Sequence, residues 1–210
     1  VDFIVCQRNV NTTHIRKVID CLSKRGIAAK ITFLDDKIVK IQEETLDSDL
    51  YIPKVLNEFG MYYVALLEKL GAHLINSYKG IAICRDKILA TLFLKSINIC
   101  IPPTYIVNSV EALKELINLH PIIVKPFRIS ESYGHRKTCI IQNWKDICKL
   151  GDIGKPIFVQ KFLLTNGWDR KLYVIGDKVY GVMRPSFLRK SQIKRFKLSE
   201  ELVETALKIG

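Results

Sequence analysis

The chain has 210 residues, 48% of them hydrophobic and 26% charged, enough apolar material for one large domain or two small ones, each with its own core. No apolar run reaches the roughly 18–20 residues of a membrane-spanning helix, and the opening VDFIVCQRN lacks the charged-then-apolar order of a signal peptide, so a folded, soluble, cytoplasmic protein with no membrane partner is expected. The formal charge of +12 is uneven: residues 121–210 hold 18 Lys and Arg against 8 Asp and Glu, which predicts that this half faces nucleic acid, nucleotide phosphates or a phosphorylated substrate.

In chain order, VDFIVC reads as a short apolar strand. NTTHIRKVIDCLSKRG follows with helical spacing at Ile15, Val18, Ile19 and Leu22, a threonine cap and a terminal Gly26. IAAKITFL is a second strand, and DLYIPK, a helix over 60–70 and a strand HLIN continue the alternation. That order predicts a small α/β domain with a largely parallel sheet. Its first strand-to-helix turn, CQRNVNTT, has no glycine to bring backbone close to a pyrophosphate, so this domain is not expected to hold a nucleotide.

Residues 78–98 read as helix, broken near Cys84 and restarted with Asp86 as cap, and the helical stretch ends before Pro102 and Pro103. PIIVKP is then a strand, RISESYGHR a loop, KTCIIQ a returning strand, NWKDICKLG a short helix and PIFVQKF a further strand. The six cysteines form no CxxC pair and several lie in apolar periodic segments, so they read as reduced core residues; the four histidines show no metal-ligand spacing. No metal site is predicted within the 210 residues.

Gly176-Asp177 is a two-residue turn signal between DRKLYVI and KVYGVMRP. Counting outward from Ile175 opposite Lys178 sets Tyr173 against Tyr180, Lys171 against Val182 and Asp169 against Arg184. With period-two alternation, Asp169, Lys171, Tyr173, Tyr180 and Arg184 share one charged, aromatic face, while Leu172, Val174, Val179 and Met183 share a core face. A solvated sheet face with one cross-strand ion pair, worth about 0–1 kcal/mol, would look the same.

The order RDK, IPPT, IVKP, FVQKF, DRKLYVIGDKVYGVMRP resembles the ATP-grasp superfamily, of the kind seen in glutathione synthetases and ribosomal-protein glutamate ligases. The similarity runs from about Asn76 to Arg184. It implies an ATP-grasp fold of α+β lobes: a pre-ATP-grasp parallel-sheet domain over 1–78, a linker helix and small lobe over 79–162, and the start of a core lobe over 163–210, incomplete at Gly210. It also implies ATP between the lobes. Lys87 and Lys125 would hold the phosphates, and FVQKFL would be the hinge, with Gln160 and backbone groups at Lys161, Phe162 and Leu163 against the adenine. Asp169, Lys171 and Arg184 would address ribose, phosphates or an acyl-phosphate, with Lys171 and Arg184 in the chemistry.

Two departures from the family pattern stand out. The loop FRISESYGHRK has a single glycine, Gly134, where members use a glycine-rich phosphate cover, so Ser130, Ser132, Arg136 and Lys137 are the replacement donors. The carboxylates that hold Mg²⁺ in the family are expected beyond residue 210, after the helix LSEELVETALKIG.

The resemblance implies an ATP-dependent carboxylate-amine ligase using ATP and Mg²⁺ on an anionic small-molecule or peptide substrate. RPS at 184–186, Lys171 and His135 also resemble the inositol polyphosphate kinases of the same fold, in which case His135 meets a substrate phosphate. A basic RNA- or ribosome-binding module built on 186–197 is the third reading, with only Phe187 and Phe196 to stack on bases, so nucleic acid is not the expected partner. Oligomeric state is left open.

Overall fold

The structure is a computed structural model that describes residues 1–7, 11–55, 57–128, 138–151, 153–185 and 193–210. Ser132 and His135, with most of their loop, and Ser186 lie outside the described residues. Two compact units form: one gathers Val1–Leu89 and the stretch starting at Pro126, the other Ala90–Lys125 and the chain from Thr138 to Gly210.

In the first unit, β1 (Asp2–Val5), β2 (Lys30–Phe33) and β3 (Tyr51–Lys54) make a parallel sheet in the order β2-β1-β3, with Phe3 in register with Ile31 and Ile52. The helices are α1 (Thr13–Ser23), α2 (Glu58–Lys69) and α3 (Tyr78–Arg85). All four residues of the central strand β1 are buried, because helices cover both faces of a parallel sheet. Alternation sends Ile4 into a cluster with Tyr51, Met61, Val64 and Leu67, and sends Phe3 and Val5 to the other face with Ile15 of α1. The predicted parallel α/β unit is therefore present.

Three local expectations are corrected here. HLIN forms a single parallel bridge, Leu74 to Tyr51, rather than a strand. Thr12 occupies the N-cap of α1 but its side chain makes no capping bond; the Asn11 Oδ1 accepts the Thr13 N–H at 3.0 Å instead. All six cysteines are free, yet only Cys6 is buried, while Cys21, Cys84, Cys100 and Cys148 are exposed. On α1 the inward stripe is Ile15, Ile19 and Leu22, and Cys21 falls outside it.

The chain breaks between α3 and α4 (Lys87–Ser96) at an extended Asp86, as the sequence predicts. Asp86 Oδ1 accepts the N–H groups of Ile88 at 2.9 Å and Leu89 at 3.2 Å, which caps the new helix.

In the second unit, β4 (Thr104–Val107), β7 (Ile157–Lys161), β5 (Ile122–Pro126) and β6 (Cys139–Ile141) form a sheet in the order β4-β7-β5-β6, with α5 (Leu113–Leu119) and a 3₁₀ turn at Trp144–Lys149. Ile122, Val124, Ile157 and Val159 point to one face and pack with Leu113, Ile141, Leu150 and Ile153. By alternation Thr104, Gln160 and Lys125 point to the opposite face.

The same unit holds β8 (Trp168–Ile175), β9 (Lys178–Pro185), β10 (Lys194–Arg195) and α6 (Glu200–Ile209), with sheet order β10-β9-β8. The hairpin register is the one expected, from Ile175 opposite Lys178 to Asp169 opposite Arg184. Its apolar face differs from the expectation in depth: Leu172, Val174, Val179 and Met183 are only half-buried. The cover is thin. Phe196, Leu198 and the end of α6 lie over Gly181 and Val174, and Arg170 and Lys194 stack on Phe196 and Trp168 on that face.

Candidate functional site

Lys125 ends an apolar strand on the face away from the core. Its Nζ donates to Gln160 Oε1 at 3.0 Å on the neighbouring strand, and Gln160 Nε2 donates to Thr104 Oγ1 at 3.0 Å on the next one. The Thr104 hydroxyl donates in turn to the carbonyl of Pro102 at 2.7 Å. Among the described residues Lys125 has no carboxylate partner, and burial lowers the pKa of its amine from the ordinary lysine value. The result is a half-buried cation held by a neutral oxygen, with donor capacity left for an anion.

At the end of β7 the N–H of Lys161 donates to Pro103 O and that of Phe162 to Pro121 O, both at 2.9 Å. Those two donors are spent in holding the segment. The N–H of Leu163, a residue 49% exposed, has no partner among the described residues.

On the hairpin, Asp169 Oδ2 lies 3.6 Å from Arg184 Nε. Lys171 is half-buried and has no carboxylate partner among the described residues. The sequence reading missed Arg195, which is in register with Val182 and so shares the face of Lys171 and Arg184. Tyr173 and Tyr180 lie opposite each other on that face, about half exposed.

Lys87 belongs to the other unit. Its backbone N–H donates to Phe127 O and its Nζ to Pro126 O, each at 2.7 Å, so the lysine is latched to the residues that follow Lys125 in the chain. Asp86 and Arg128 form an antiparallel bridge beside it. Arg128 was not singled out in the sequence, although it stands two residues after the KP pair.

The first unit also has a cleft of about 290 Å³ at the carboxyl ends of its parallel strands, lined by Cys6, Gln7, Leu34, Asp35, Lys37, Asn57 and Phe59. Crevices at this end of a parallel sheet are the ordinary place for a ligand. Beside it Lys37 pairs with Glu44 at 2.8 Å, and Glu44 accepts the Tyr63 hydroxyl at 2.7 Å. Burial works against ionisation of Glu44, but the donors Lys37 and Tyr63 outweigh it and hold the carboxyl below its usual value. Sequence reasoning named no residue here, since no motif marks it.

Among the described residues no group of three or more His, Cys, Asp or Glu side chains is placed to hold a metal ion, and no helix is long and apolar enough to cross a membrane.

No protein-family model matches the chain. N-acetylaspartylglutamate synthase A of Mus musculus is 25% identical over 158 residues, which is 72% of this chain and 39% of that protein, and its Homo sapiens counterpart is 26% identical over 161 residues, 74% and 39%. The chain thus spans about two fifths of the length of these curated relatives. Among solved structures, a RimK-domain ATP-grasp protein of Sphaerobacter thermophilus superposes with a TM-score of 0.80 at 14% identity, covering 99% of this chain and 80% of that one. D-alanine–D-alanine ligase of Bacillus anthracis gives 0.72 at 15% identity, covering 99% and 77%. The order RDK, IPPT, IVKP, FVQKF, DRKLY and MRP therefore sits on a backbone that follows these structures over nearly its whole length, and the chain has the ATP-grasp fold.

Proposed function

We propose that the protein is an ATP-dependent carboxylate-amine ligase. The observation that carries the reading is Lys125, a half-buried ammonium without a carboxylate partner among the described residues, placed on the face of its sheet away from the core cluster in an ATP-grasp fold. In this reading Lys125 and Lys87 hold ATP phosphates, with Gln160 bracing Lys125. The Leu163 N–H and carbonyls near Lys161 and Phe162 meet the adenine edge, which offers both an acceptor and a donor. Asp169 meets ribose. Lys171 and Arg184 neutralise the charge that builds as a substrate carboxylate oxygen bonds to the γ-phosphorus and ADP departs. An amine nitrogen then bonds to the acyl carbon, and phosphate leaves with the carboxyl oxygen it received.

Within this proposal Ser132 donates to the ATP phosphates, and His135 is taken as cofactor-binding too, in place of the substrate-phosphate contact that a kinase would ask of it. The proposal also keeps the division into a pre-ATP-grasp domain over 1–78, a linker helix and small lobe over 79–162 and a core-lobe segment over 163–210. The cleft lined by Gln7, Lys37 and Asn57 would take part of the substrate, an anionic small molecule or peptide. A neighbouring structure, the ATP-grasp ligase PsnB, holds Mg and ADP with a precursor peptide variant. Among the described residues no three His, Cys, Asp or Glu side chains are gathered for a metal ion, and the roles above belong to the chain's own lysines, arginine and backbone.

The test is phosphate release from ATP by the intact protein against a panel of carboxylate and amine pairs. Release that appears only when both partners are present supports a ligase. Label from γ-labelled ATP retained on a polyol would replace the ligase by a kinase.

A further inference from the structure

The row Thr104, Gln160, Lys125 crosses three adjacent strands, and its hydrogen bonds all run one way. A primary amide has two ends of nearly equal shape and opposite character, so something must decide which end faces the lysine. The lysine amine can only donate. The Pro102 carbonyl, 2.7 Å from Thr104 Oγ1, can only accept, so the single hydroxyl proton of Thr104 is committed to it. Thr104 therefore meets Gln160 as an acceptor, and only the NH₂ end of the amide satisfies it. The oxygen is left for Lys125. Turning the amide over would set its NH₂ against the ammonium and lose the bond to Thr104.

Resting on the nucleotide reading above, we propose that Thr104 is a positioning residue for ATP binding: it fixes the orientation of the Gln160 amide and through it holds Lys125 toward the phosphates. Thr104 is in register with Gln160, so its reach needs no long flexible side chain. Bonds that run in one sense polarise one another, which strengthens the hold of the amide oxygen on the lysine. A carboxylate in place of Gln160 would pair with Lys125 and compete with the phosphate for it.

The test compares the intact protein with Thr104→Val, Thr104→Ala and Thr104→Ser. Two quantities are read: ATP affinity by calorimetry, and titration of the Lys125 amine by NMR of ¹³Cε-labelled lysine without ATP, assigned with Lys125→Met. Val and Ala are expected to weaken ATP binding about tenfold, the loss of one charge-linked hydrogen bond. They also lower the pH at which Lys125 titrates, because the amide that presents its oxygen to the ammonium is no longer held at its other end. Ser restores both to within about twofold. Lys125 titrating alike in all the Thr104 variants would overturn the positioning role whatever ATP does. A shifted titration with unchanged ATP affinity would overturn its part in nucleotide binding. If the unaltered protein binds no ATP while the titration shifts with Val and returns with Ser, the nucleotide reading falls and the hold of Thr104 on Lys125 stands.

Discussion

Arg128 Nε donates to Asp86 Oδ2 at 3.2 Å while the other oxygen of Asp86 caps α4, so one carboxylate fixes the helix start next to Lys87 from two directions. The two halves differ in weight. Arg128 is 54% exposed, and an exposed ion pair contributes about 0–1 kcal/mol. Loss of a cap costs about 1–2 kcal/mol, and Asp86 is buried. Arg128→Ala should therefore destabilise by under about 1 kcal/mol, Asp86→Ala by about 2 kcal/mol, and Asp86→Asn, which keeps the cap, by an amount between them. Urea unfolding of the intact protein measures all three. An Arg128→Ala cost as large as that of Asp86→Ala would show that the ion pair, rather than the cap, holds the helix.

Gly60 in the first turn of α2 has no room for a side chain: a Cβ there would lie 2.7 Å from Val55 Cβ and 2.9 Å from Asn57 Oδ1, the oxygen that caps the helix. Replacement by Ala gains about 1 kcal/mol of helix propensity. It also pushes on a buried strand-end valine and on the cap, and overpacking costs about 1–3 kcal/mol. The clash is with Cβ of a buried residue, which cannot swing away, so Gly60→Ala should be a net loss of about 1 kcal/mol or more in urea unfolding. A stabilised Gly60→Ala protein would mean that Val55 gives way freely.

Lys125 should act on stability and on binding in opposite senses. Burial lowers its pKa, so over the range between its folded and unfolded values the unfolded chain binds more protons. The penalty is complete below the folded value and disappears as the pH rises through the ordinary lysine range. Lys125→Met removes a buried charge and keeps the apolar stem, so the ATP-free variant should be at least as stable as the unaltered protein at neutral pH. That margin should shrink as the pH is raised. ATP affinity should fall by about tenfold or more in the same variant, as calorimetry would show.

How far the sequence speaks depends on how local the causes are. The hairpin is legible because the Gly176-Asp177 turn and period-two alternation set the register within 17 residues, from Asp169 to Pro185. The break at Asp86 is legible because a cap acts on the next turn alone. TYIV had a usable signal in four strand-favouring residues, but its place in the sheet is set by pairing with β7, Thr104 against Gln160, 56 residues later. That distance also hides Thr104 from a reading of the site. α5 had a usable signal in Leu113, Leu116 and Ile117 at helical spacing, beside the strand that follows. β10 is two residues long and exists through its pairing with β9, so Arg195 joins the face of Lys171 only in three dimensions.

Arg184 separates a charged surface from a working site. Its pairing with Asp169 is 3.6 Å long with both side chains about two-fifths exposed, an arrangement worth about 0–1 kcal/mol to the fold. If the hairpin face only solvates the sheet, Arg184→Ala changes little beyond that. If it neutralises charge at the γ-phosphate, ATP-dependent phosphate release should drop about 100-fold in Arg184→Ala with unfolding shifted by under about 1 kcal/mol. Arg184→Lys should recover only part of the rate, since an ammonium is a point charge and cannot present a planar pair of N–H groups to two oxygens. Lys171→Ala should follow Arg184→Ala in rate, because Lys171 lies on the same face with no competing carboxylate among the described residues. Arg195→Ala, on the outer strand of that face, should lose less than either. A graded loss in that order would place the developing charge over β8 and β9. Equal losses at all three positions would point instead to the summed field of a basic surface, and that loss should then fade as salt is added.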